Sequence, residues 1–235
     1  WIALARVDGP TLEERIARRR LSCEELARLG ERLDGALSGL ARAGYVHADV
    51  KPANVILPRG RLEEATLVDF ETAARVGEPY SARVTASFAA PERLAGDARA
   101  DPRADAFSLG ALLFACAAGR SPFAAESREA SVLRVLALEP PRLSGLGEDW
   151  ATAIAALLAK DPGRRPASLS AARERAPVVE DDDPPPSSLR DGIRLEPSSE
   201  PWGSIAAALR ARFSIDATAS FDAMVRVFEP RMLGA

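Results

Sequence analysis

Four polar side chains between residues 49 and 69 have the types and spacing that a catalytic site needs. Asp49, Lys51 and Asn54 follow one another closely, and Asp69 ends a short apolar run further on. Phosphoryl transfer requires a group that orients the attacking hydroxyl, cations that neutralise phosphate charge, and ligands for those cations. Amide and carboxylate oxygens are the ligands that Mg²⁺ prefers. The sequence therefore predicts Asp49 and Lys51 as catalytic residues, with Asn54 and Asp69 as metal ligands.

A long helix and a pair of short strands are predicted to position these side chains. Ser22, with Glu25 three residues on, is a capping-box signature that opens a helix ending near Gly44. Residues 54–57 and 66–68 are short β-prone runs that predict a hairpin-like pair around the polar residues. The helix carries a leucine stripe at three- and four-residue steps: Leu26, Leu29, Leu33, Leu37 and Leu40.

The rest of the chain is predicted to form a helical body, a linker and a tail. Residues 2–7 have the pattern of a strand, and a helix is expected from about Thr11. Residues 177–201 are acidic and proline-rich, which is typical of a solvated linker. Residues 202–235 predict a helical tail or the start of another domain. Further helical patterns cover residues 101–118, 126–138, 150–159 and 168–175.

Composition excludes several classes of function. The 235 residues are 47% hydrophobic, enough for one core, and 31 basic residues nearly balance 34 acidic ones. We therefore expect no nucleic-acid partner and no membrane partner. Cys23 and Cys116 are the only cysteines, and a buried reduced thiol is expected at Cys116, which suits the cytoplasm. The apolar stretch 109–119 is about half of the roughly 20 residues that a membrane span needs.

The polar run described above resembles the catalytic loop of protein kinases. HADVKPAN at 47–54 is similar to HRDxKPxN, and VDFE at 68–71 is similar to the DFG segment. The resemblance implies a bacterial-type serine/threonine kinase that uses ATP and Mg²⁺ to phosphorylate a protein or peptide, and Lys51 favours serine and threonine over tyrosine. His47 is not nominated as a base, because the family histidine packs in a core spine with the phenylalanine that is Phe70 here.

Three further motifs follow in the order of that family. An APE triplet ends at Glu92, and Thr85 stands where serine/threonine kinases place a threonine in the substrate-facing loop. DAFSLG, which begins at Asp105, resembles the start of a large buried helix whose aspartate hydrogen-bonds the catalytic-loop backbone. KDPGRRP matches a late segment whose arginine, here Arg165, pairs with the glutamate of the triplet.

The first lobe of the family is almost absent from this sequence. No glycine-rich phosphate loop, strand lysine or partner glutamate precedes the catalytic motif. Residues 1–9 resemble the last strand and hinge of that lobe, so the carbonyl of Ala5 and the amide of Val7 are expected to bind adenine above Ile56. The implied fold class is α+β, mainly α: the C-terminal helical lobe at residues 10–176, with the missing lobe expected in cis.

Two residues depart from the pattern of the family. Ala48 replaces an arginine that in many kinases binds a phosphate on the activation segment, and alanine cannot make that ion pair. Phosphorylation of Ser81 or Thr85 is therefore not expected to be required for activity. Glu71 replaces the DFG glycine, so a backbone conformation with positive φ would be costly there.

Two alternatives stay open. Without the phosphate loop and its lysine, the chain could be a non-catalytic, pseudokinase-like docking module. The DFE variant is also similar to the kinase domains of class III lanthionine synthetases, although no zinc-ligand set of cysteines and histidine is present. Small-molecule phosphotransferases share the DFE variant, but the Lys-Pro pair, the APE triplet and DAFSLG belong to the protein-kinase pattern.

Overall fold

The structure, a computed structural model, describes residues 6–81, 83–95, 98–175 and 194–195. The described chain is mainly helical, and each of its strands is two residues long. The helices are α1 (Leu12–Arg18), α2 (Cys23–Arg42), α3 (Pro91–Ala95), α4 (Pro102–Ala118), α5 (Arg128–Ala137), α6 (Glu148–Leu157) and α7 (Leu169–Arg175). The strands are β1 (Tyr45–Val46), β2 (Val55–Ile56), β3 (Thr66–Leu67), β4 (Ala74–Arg75), β5 (Leu143–Ser144) and β6 (Arg194–Leu195).

Capping boxes open the first two helices. In α1 the Thr11 hydroxyl accepts from the Glu14 amide at 3.1 Å, and the Glu14 carboxylate accepts from the Thr11 amide at 2.9 Å. Ser22 and Glu25 make the same reciprocal pair at the start of α2. These contacts satisfy amide groups that a helix start leaves unpaired. After α2, Gly44 with φ of 83° turns the chain directly into β1, which confirms the predicted bounds of this helix.

Two antiparallel strand pairs lie around the polar residues of interest. β1 pairs with β4, and β2 pairs with β3 through Val55 opposite Leu67 and Ile56 opposite Thr66. The β2–β3 pair confirms the hairpin-like pair predicted from the sequence. Residues 47–54 therefore run from one strand pair to the other.

The centre of the core is α4. Every residue from Ala104 to Ala118 is buried, because α2 packs on one side of this helix and α6 on another. A β-carbon added at Gly110 would lie 2.8 Å from the β-carbon of Leu157 in α6, so glycine permits this close approach. The leucine stripe of α2 faces the same core, since Leu26, Leu29 and Leu33 are fully buried.

Several features of the structure differ from the sequence-based predictions, and some predictions concern residues that the structure does not describe. The four later helices were predicted to within about three residues. α3, β1, β4 and β5 were not predicted, because elements of two to five residues carry little periodic signal and these lie outside the β-prone runs that indicated β2 and β3. β6, which pairs with β5, lies inside the segment 177–201 that was predicted as a linker. Residues 1–5 and the tail at 202–235 lie outside the described residues, and Arg6 and Val7 are not in a strand.

Both cysteines are free thiols. Cys116 is buried in α4, and burial raises the pKa of its thiol above the ordinary value. Among the described residues, no helix is both long enough and apolar enough to cross a membrane.

Candidate active site

The loop 47–54 is held at both ends by backbone structure. It leaves β1 at Val46 and closes in a 3-10 turn, Pro52–Asn54, in which the Asn54 amide donates to the Lys51 carbonyl at 3.0 Å. Ala48 has φ of 68°, a left-handed conformation that residues with a β-carbon adopt rarely. This turn of the backbone directly precedes Asp49.

Asp49 accepts hydrogen bonds from two neighbours in the loop. Its Oδ2 atom accepts from Lys51 Nζ at 2.6 Å and from Asn54 Nδ2 at 3.0 Å. Burial acts to raise the pKa of Asp49, but hydrogen bonds from Lys51, Thr85 and Asn54 outweigh it and hold that pKa below its ordinary value. The side chain keeps 11% of its surface exposed. Asp49 is therefore ionised, and part of its carboxylate remains accessible at the surface.

Lys51 bridges the loop to a later segment of the chain. Besides its contact with Asp49, its ammonium donates to the Thr85 hydroxyl at 3.0 Å. The structure thus brings together two predicted catalytic residues and the predicted substrate-loop threonine. We name residues 69–92 the activation segment. Thr85, within this segment, lies against the catalytic loop.

Asp105 fixes the backbone at the start of the loop. Its two carboxylate oxygens accept from the amides of His47 at 2.7 Å and Ala48 at 2.8 Å. Burial raises the pKa of Asp105 to about 6, although both amide hydrogen bonds act in the opposite direction. The separate residue Asp101 is the N-cap of α4. Asp105 therefore acts on the catalytic loop rather than on the end of its own helix.

His47 contacts the backbone around it and the ring of Phe70. Its Nδ1 atom accepts from the Asp49 amide at 3.3 Å, and Nε2 lies 3.1 Å from the Val68 carbonyl oxygen. Burial lowers the pKa of His47, so the ring is neutral at neutral pH. The ring centroids of His47 and Phe70 are 4.7 Å apart. Phe70 is nevertheless 51% exposed, which differs from the predicted core position, because its tilted contact with His47 leaves much of the side chain uncovered.

The two predicted metal ligands lie on paired segments. The Val68 amide donates to the Asn54 carbonyl at 3.0 Å, which brings Asp69, the next residue, beside Asn54. Asn54 turns its Nδ2 atom toward Asp49, so its Oδ1 atom is the one that would face a cation. Both oxygens are hard ligands that fit Mg²⁺. No cluster of three or more His, Cys, Asp or Glu side chains occurs in the described part of the chain.

The backbone around Asp69 accommodates Glu71, the residue that replaces the DFG glycine. Asp69 has φ of 65°, and Glu71 is not among the described residues with positive φ. The Glu71 amide instead lies 3.4 Å from Asp69 Oδ1. The glutamate is therefore accommodated without the backbone strain expected at a residue that replaces glycine.

A buried ion pair joins α3 to the segment after α6. Arg165 and Glu92 form a bidentate pair at 2.7 and 3.0 Å, and the Arg165 side chain is fully buried. Arg165 also donates to the carbonyls of Ala159 and Arg103. These contacts satisfy a charge that would otherwise be costly to bury.

Comparison with known families decides the classification. Residues 1–175 match the protein kinase domain family. The chain belongs to this family. The match covers every residue of the geometry described above, from the loop at Asp49 to the pair at Arg165.

The relatives of this kinase domain include bacterial serine/threonine-protein kinases. It is 35% identical over 178 residues to the serine/threonine-protein kinase PknJ of Mycobacterium tuberculosis, covering 70% of this chain and 30% of the relative. It is 30% identical over 172 residues to the probable serine/threonine-protein kinase PkwA of Thermomonospora curvata, covering 71% and 22%. For PknK of M. tuberculosis the identity is 37% over 157 residues, covering 63% and 14%. The chain therefore spans less than a third of the length of these relatives.

The predicted adenine contacts of the kinase domain are described only in part. Ala5 lies outside the described residues, and Val7 and Ile56 are half-buried. Gly9 brings the segment after Val7 against the end of β2, since a β-carbon there would lie 2.3 Å from the Leu57 carbonyl oxygen. This close approach explains why a glycine stands at residue 9.

Three residues of the kinase domain make contacts around the site that were not predicted from the sequence. The Thr72 hydroxyl donates to the His47 carbonyl at 3.1 Å, and the Tyr80 hydroxyl accepts from the Asp101 amide at 3.1 Å. Arg93 donates to the Ala48 carbonyl from α3. Each joins positions at least 21 residues apart. The one available signal was that Arg93 directly follows the APE triplet.

Proposed function

We propose that this chain is the C-terminal, catalytic lobe of a serine/threonine protein kinase that transfers the γ-phosphate of ATP to a protein hydroxyl. The observation that carries the proposal is the contact group of Asp49, Lys51 and Thr85. It combines an ionised acceptor, a cation and a residue of the activation segment through contacts of 3.0 Å or less. Kinase catalysis is mainly positioning and electrostatic stabilisation, so such a group is what the reaction needs.

Asp49 orients the substrate hydroxyl in this mechanism. Its ionised carboxylate accepts the hydroxyl proton as a hydrogen bond, which directs the oxygen lone pair toward the phosphorus atom. The Lys51 ammonium then contacts the transferred phosphoryl oxygens as well as Asp49, and it stabilises the negative charge that develops on those oxygens. The Lys51–Thr85 contact keeps the substrate-facing loop close to both groups.

ATP and Mg²⁺ are the cofactors in this proposal. Asn54 and Asp69 would hold the metal, and Val7, Ala5 and Ile56 would hold the adenine. Bound Mg²⁺ supplies positive charge that neutralises the phosphates. The glycine-rich loop and lysine that cover the phosphates in kinases are not encoded in these residues, so we place them on a second lobe in cis.

We also propose that activity does not depend on phosphorylation of the activation segment. Ala48 offers no cation for a phosphate. The Thr85 hydroxyl already accepts from Lys51, and a phosphate there would bring further negative charge toward Asp49. Ser81 is exposed, so a phosphate there could tune binding without being required.

The competing proposal is a docking module without catalysis. The exposed ring of Phe70 favours it. The intact set of Asp49, Asn54 and Asp69 argues for catalysis in the whole protein. The names of the relatives favour a protein kinase over the lanthionine-synthetase alternative.

A product analysis separates these proposals. The chain would be produced together with whatever its gene encodes upstream, then incubated with ATP, Mg²⁺ and dephosphorylated casein. We expect phosphoserine and phosphothreonine in the casein, and no phosphotyrosine. The chain alone should show little or no thermal shift with millimolar ATP and Mg²⁺. Absence of phosphotransfer by the longer protein would favour the docking module.

A further inference from the structure

Arg93 is a buried cation that touches the catalytic loop from outside it. It lies in α3 directly after Glu92 and is 9% exposed. Its guanidinium donates through Nη1 to the Ala48 carbonyl and through Nη2 to the Arg83 carbonyl. The guanidinium carbon also lies 5.1 Å from the ring centroid of Tyr80. One side chain therefore binds both the catalytic loop and the activation segment.

The contact falls on Ala48, the residue of loop 47–54 that has positive φ. Ala48 has φ of 68°, a conformation that its β-carbon disfavours. Asp105 accepts from its amide at 2.8 Å, while Arg93 donates to its carbonyl. The two peptide groups of Ala48 are thus held by a carboxylate on one side and a guanidinium on the other. Asp49 is the next residue, so its direction depends on this backbone.

The second contact of Arg93 reaches the residues that lead to Thr85. Arg83 lies two positions before Thr85, whose hydroxyl accepts from Lys51. Burial lowers the pKa of Arg93, and the negative charges of Asp49 and Asp105 act in the opposite direction. The cation is therefore placed among the charges of the site rather than in solvent.

We propose that Arg93 is a positioning residue that holds the Ala48–Asp49 backbone and the activation segment in register for catalysis. It supplies from α3 a cation that residue 48 does not carry. Because Arg93 binds backbone carbonyls, its effect needs no phosphate on the activation segment. The kinetic part of this inference rests on the proposed kinase function, whereas its structural part does not.

Hydrogen exchange tests the structural part on the chain itself. Arg93→Met removes both donated hydrogen bonds at similar side-chain length, and Arg93→Lys offers an ammonium that cannot span both carbonyls as the guanidinium does. We expect Arg93→Met to speed exchange at the amides of 47–49 and 83–85 roughly tenfold, the equivalent of one buried hydrogen bond. Arg93→Lys should be intermediate. Arg99→Met is the matched control, because Arg99 donates to the Gly77 carbonyl at the surface.

A glycine at residue 48 provides the rescue. Glycine adopts positive φ without a steric penalty, so Ala48→Gly in the Arg93→Met background should recover part of the lost protection. A merely structural arginine would not be rescued in this way. Equal exchange in wild type and Arg93→Met, or equal acceleration in Arg99→Met, would overturn the inference.

Kinetics of the longer protein test the catalytic part. Arg93→Met should lower kcat about tenfold while KM for ATP stays within roughly twofold, because the loop is misplaced but the nucleotide site is not. Ala48→Gly should restore part of kcat. An unchanged kcat would overturn the catalytic part. If the wild-type protein transfers no phosphate, the proposed function fails, and the exchange experiment still decides the role of Arg93.

Discussion

At the scale of single residues, the site works through charges whose states are set by their neighbours. Asp49 is kept ionised because hydrogen bonds from Lys51, Thr85 and Asn54 outweigh the effect of its burial. His47 is kept neutral by burial. In our proposal the ionised carboxylate of Asp49 accepts the substrate hydroxyl, whereas the neutral His47 ring packs against Phe70 and hydrogen-bonds to the backbone.

The sole histidine gives the protein a specific dependence of stability on pH. The pKa of His47 in the folded state lies below its ordinary value of 6.5, so the unfolded state binds more protons as the pH falls below 6.5. Its contribution to stability is therefore complete above pH 6.5 and is lost as the pH falls through the folded pKa. The loss can reach about 1.4 kcal/mol per pH unit.

A comparison with His47→Gln isolates this effect. The free energy of unfolding in urea should fall more steeply between pH 7 and pH 5 for wild type than for His47→Gln. Asp105, whose raised pKa of about 6 makes folding more favourable at lower pH, acts in both proteins and cancels in the difference. Parallel pH profiles for the two proteins would show that His47 is not buried and neutral.

The sequence indicated candidate site residues but not their surroundings. Asp49, Lys51, Asn54 and Asp69 could be named because phosphoryl transfer restricts residue type and spacing. Arg93 could not, because its contacts are with backbone carbonyls, and a carbonyl places no restriction on the identity of the residue that carries it.

At the scale of elements, the position of the site depends on α4 and the helices packed around it. Asp105 is in the first turn of α4, so any displacement of that helix moves the amides of His47 and Ala48. α4 is kept in place by close packing, and the approach of α6 at Gly110 is its tightest described example.

Two glycine-to-alanine substitutions in helices test this packing. Gly110→Ala should destabilise the protein by about 1–3 kcal/mol, since the added β-carbon meets Leu157 Cβ at 2.8 Å and neither atom can rotate away. Gly35→Ala in α2 is the matched control, because nothing lies within 4 Å of its added β-carbon. It should stabilise by roughly 0.5–1 kcal/mol through helix propensity. Urea unfolding would measure both, and equal effects would contradict the packing described for α4 and α6.

Helices were more predictable than strands for a physical reason. The Ser22–Glu25 capping box and the leucine periodicity are local signals that located α2 to within about two residues, and the turn residues before Thr11 located the start of α1. β1 and β4 pair through Tyr45 with Arg75 and Val46 with Ala74, although residues 47–73 lie between them in the chain. Pairs of this kind depend on the whole fold rather than on the two-residue sequences that form them.

At the scale of the whole molecule, the chain matches the kinase family over residues 1–175 but spans less than a third of the relatives described above. Among the described residues, the exposed large apolar side chains are Tyr45, Phe70 and Val76. Phe70 lies beside the proposed metal ligand Asp69. In our proposal its exposed face meets the second lobe, which completes the nucleotide cleft.

The sequence predicted the class of the molecule from the order of its motifs, because five motifs in family order restrict the fold far more than any one of them. The sequence did not predict that Phe70 is exposed. A buried neighbour such as His47 does not imply that every face of the contacting ring is covered.

The central claim is that Asp49 orients the hydroxyl that receives the phosphate, and steady-state kinetics of Asp49→Asn in the longer protein test it most directly. Asparagine keeps the size of the side chain but removes the charge that accepts the hydroxyl proton. We expect kcat for casein phosphorylation to fall about 10²–10⁴-fold, with KM for ATP nearly unchanged. The control is Glu31→Gln, at an exposed residue of α2. Wild-type turnover by Asp49→Asn would contradict the claim.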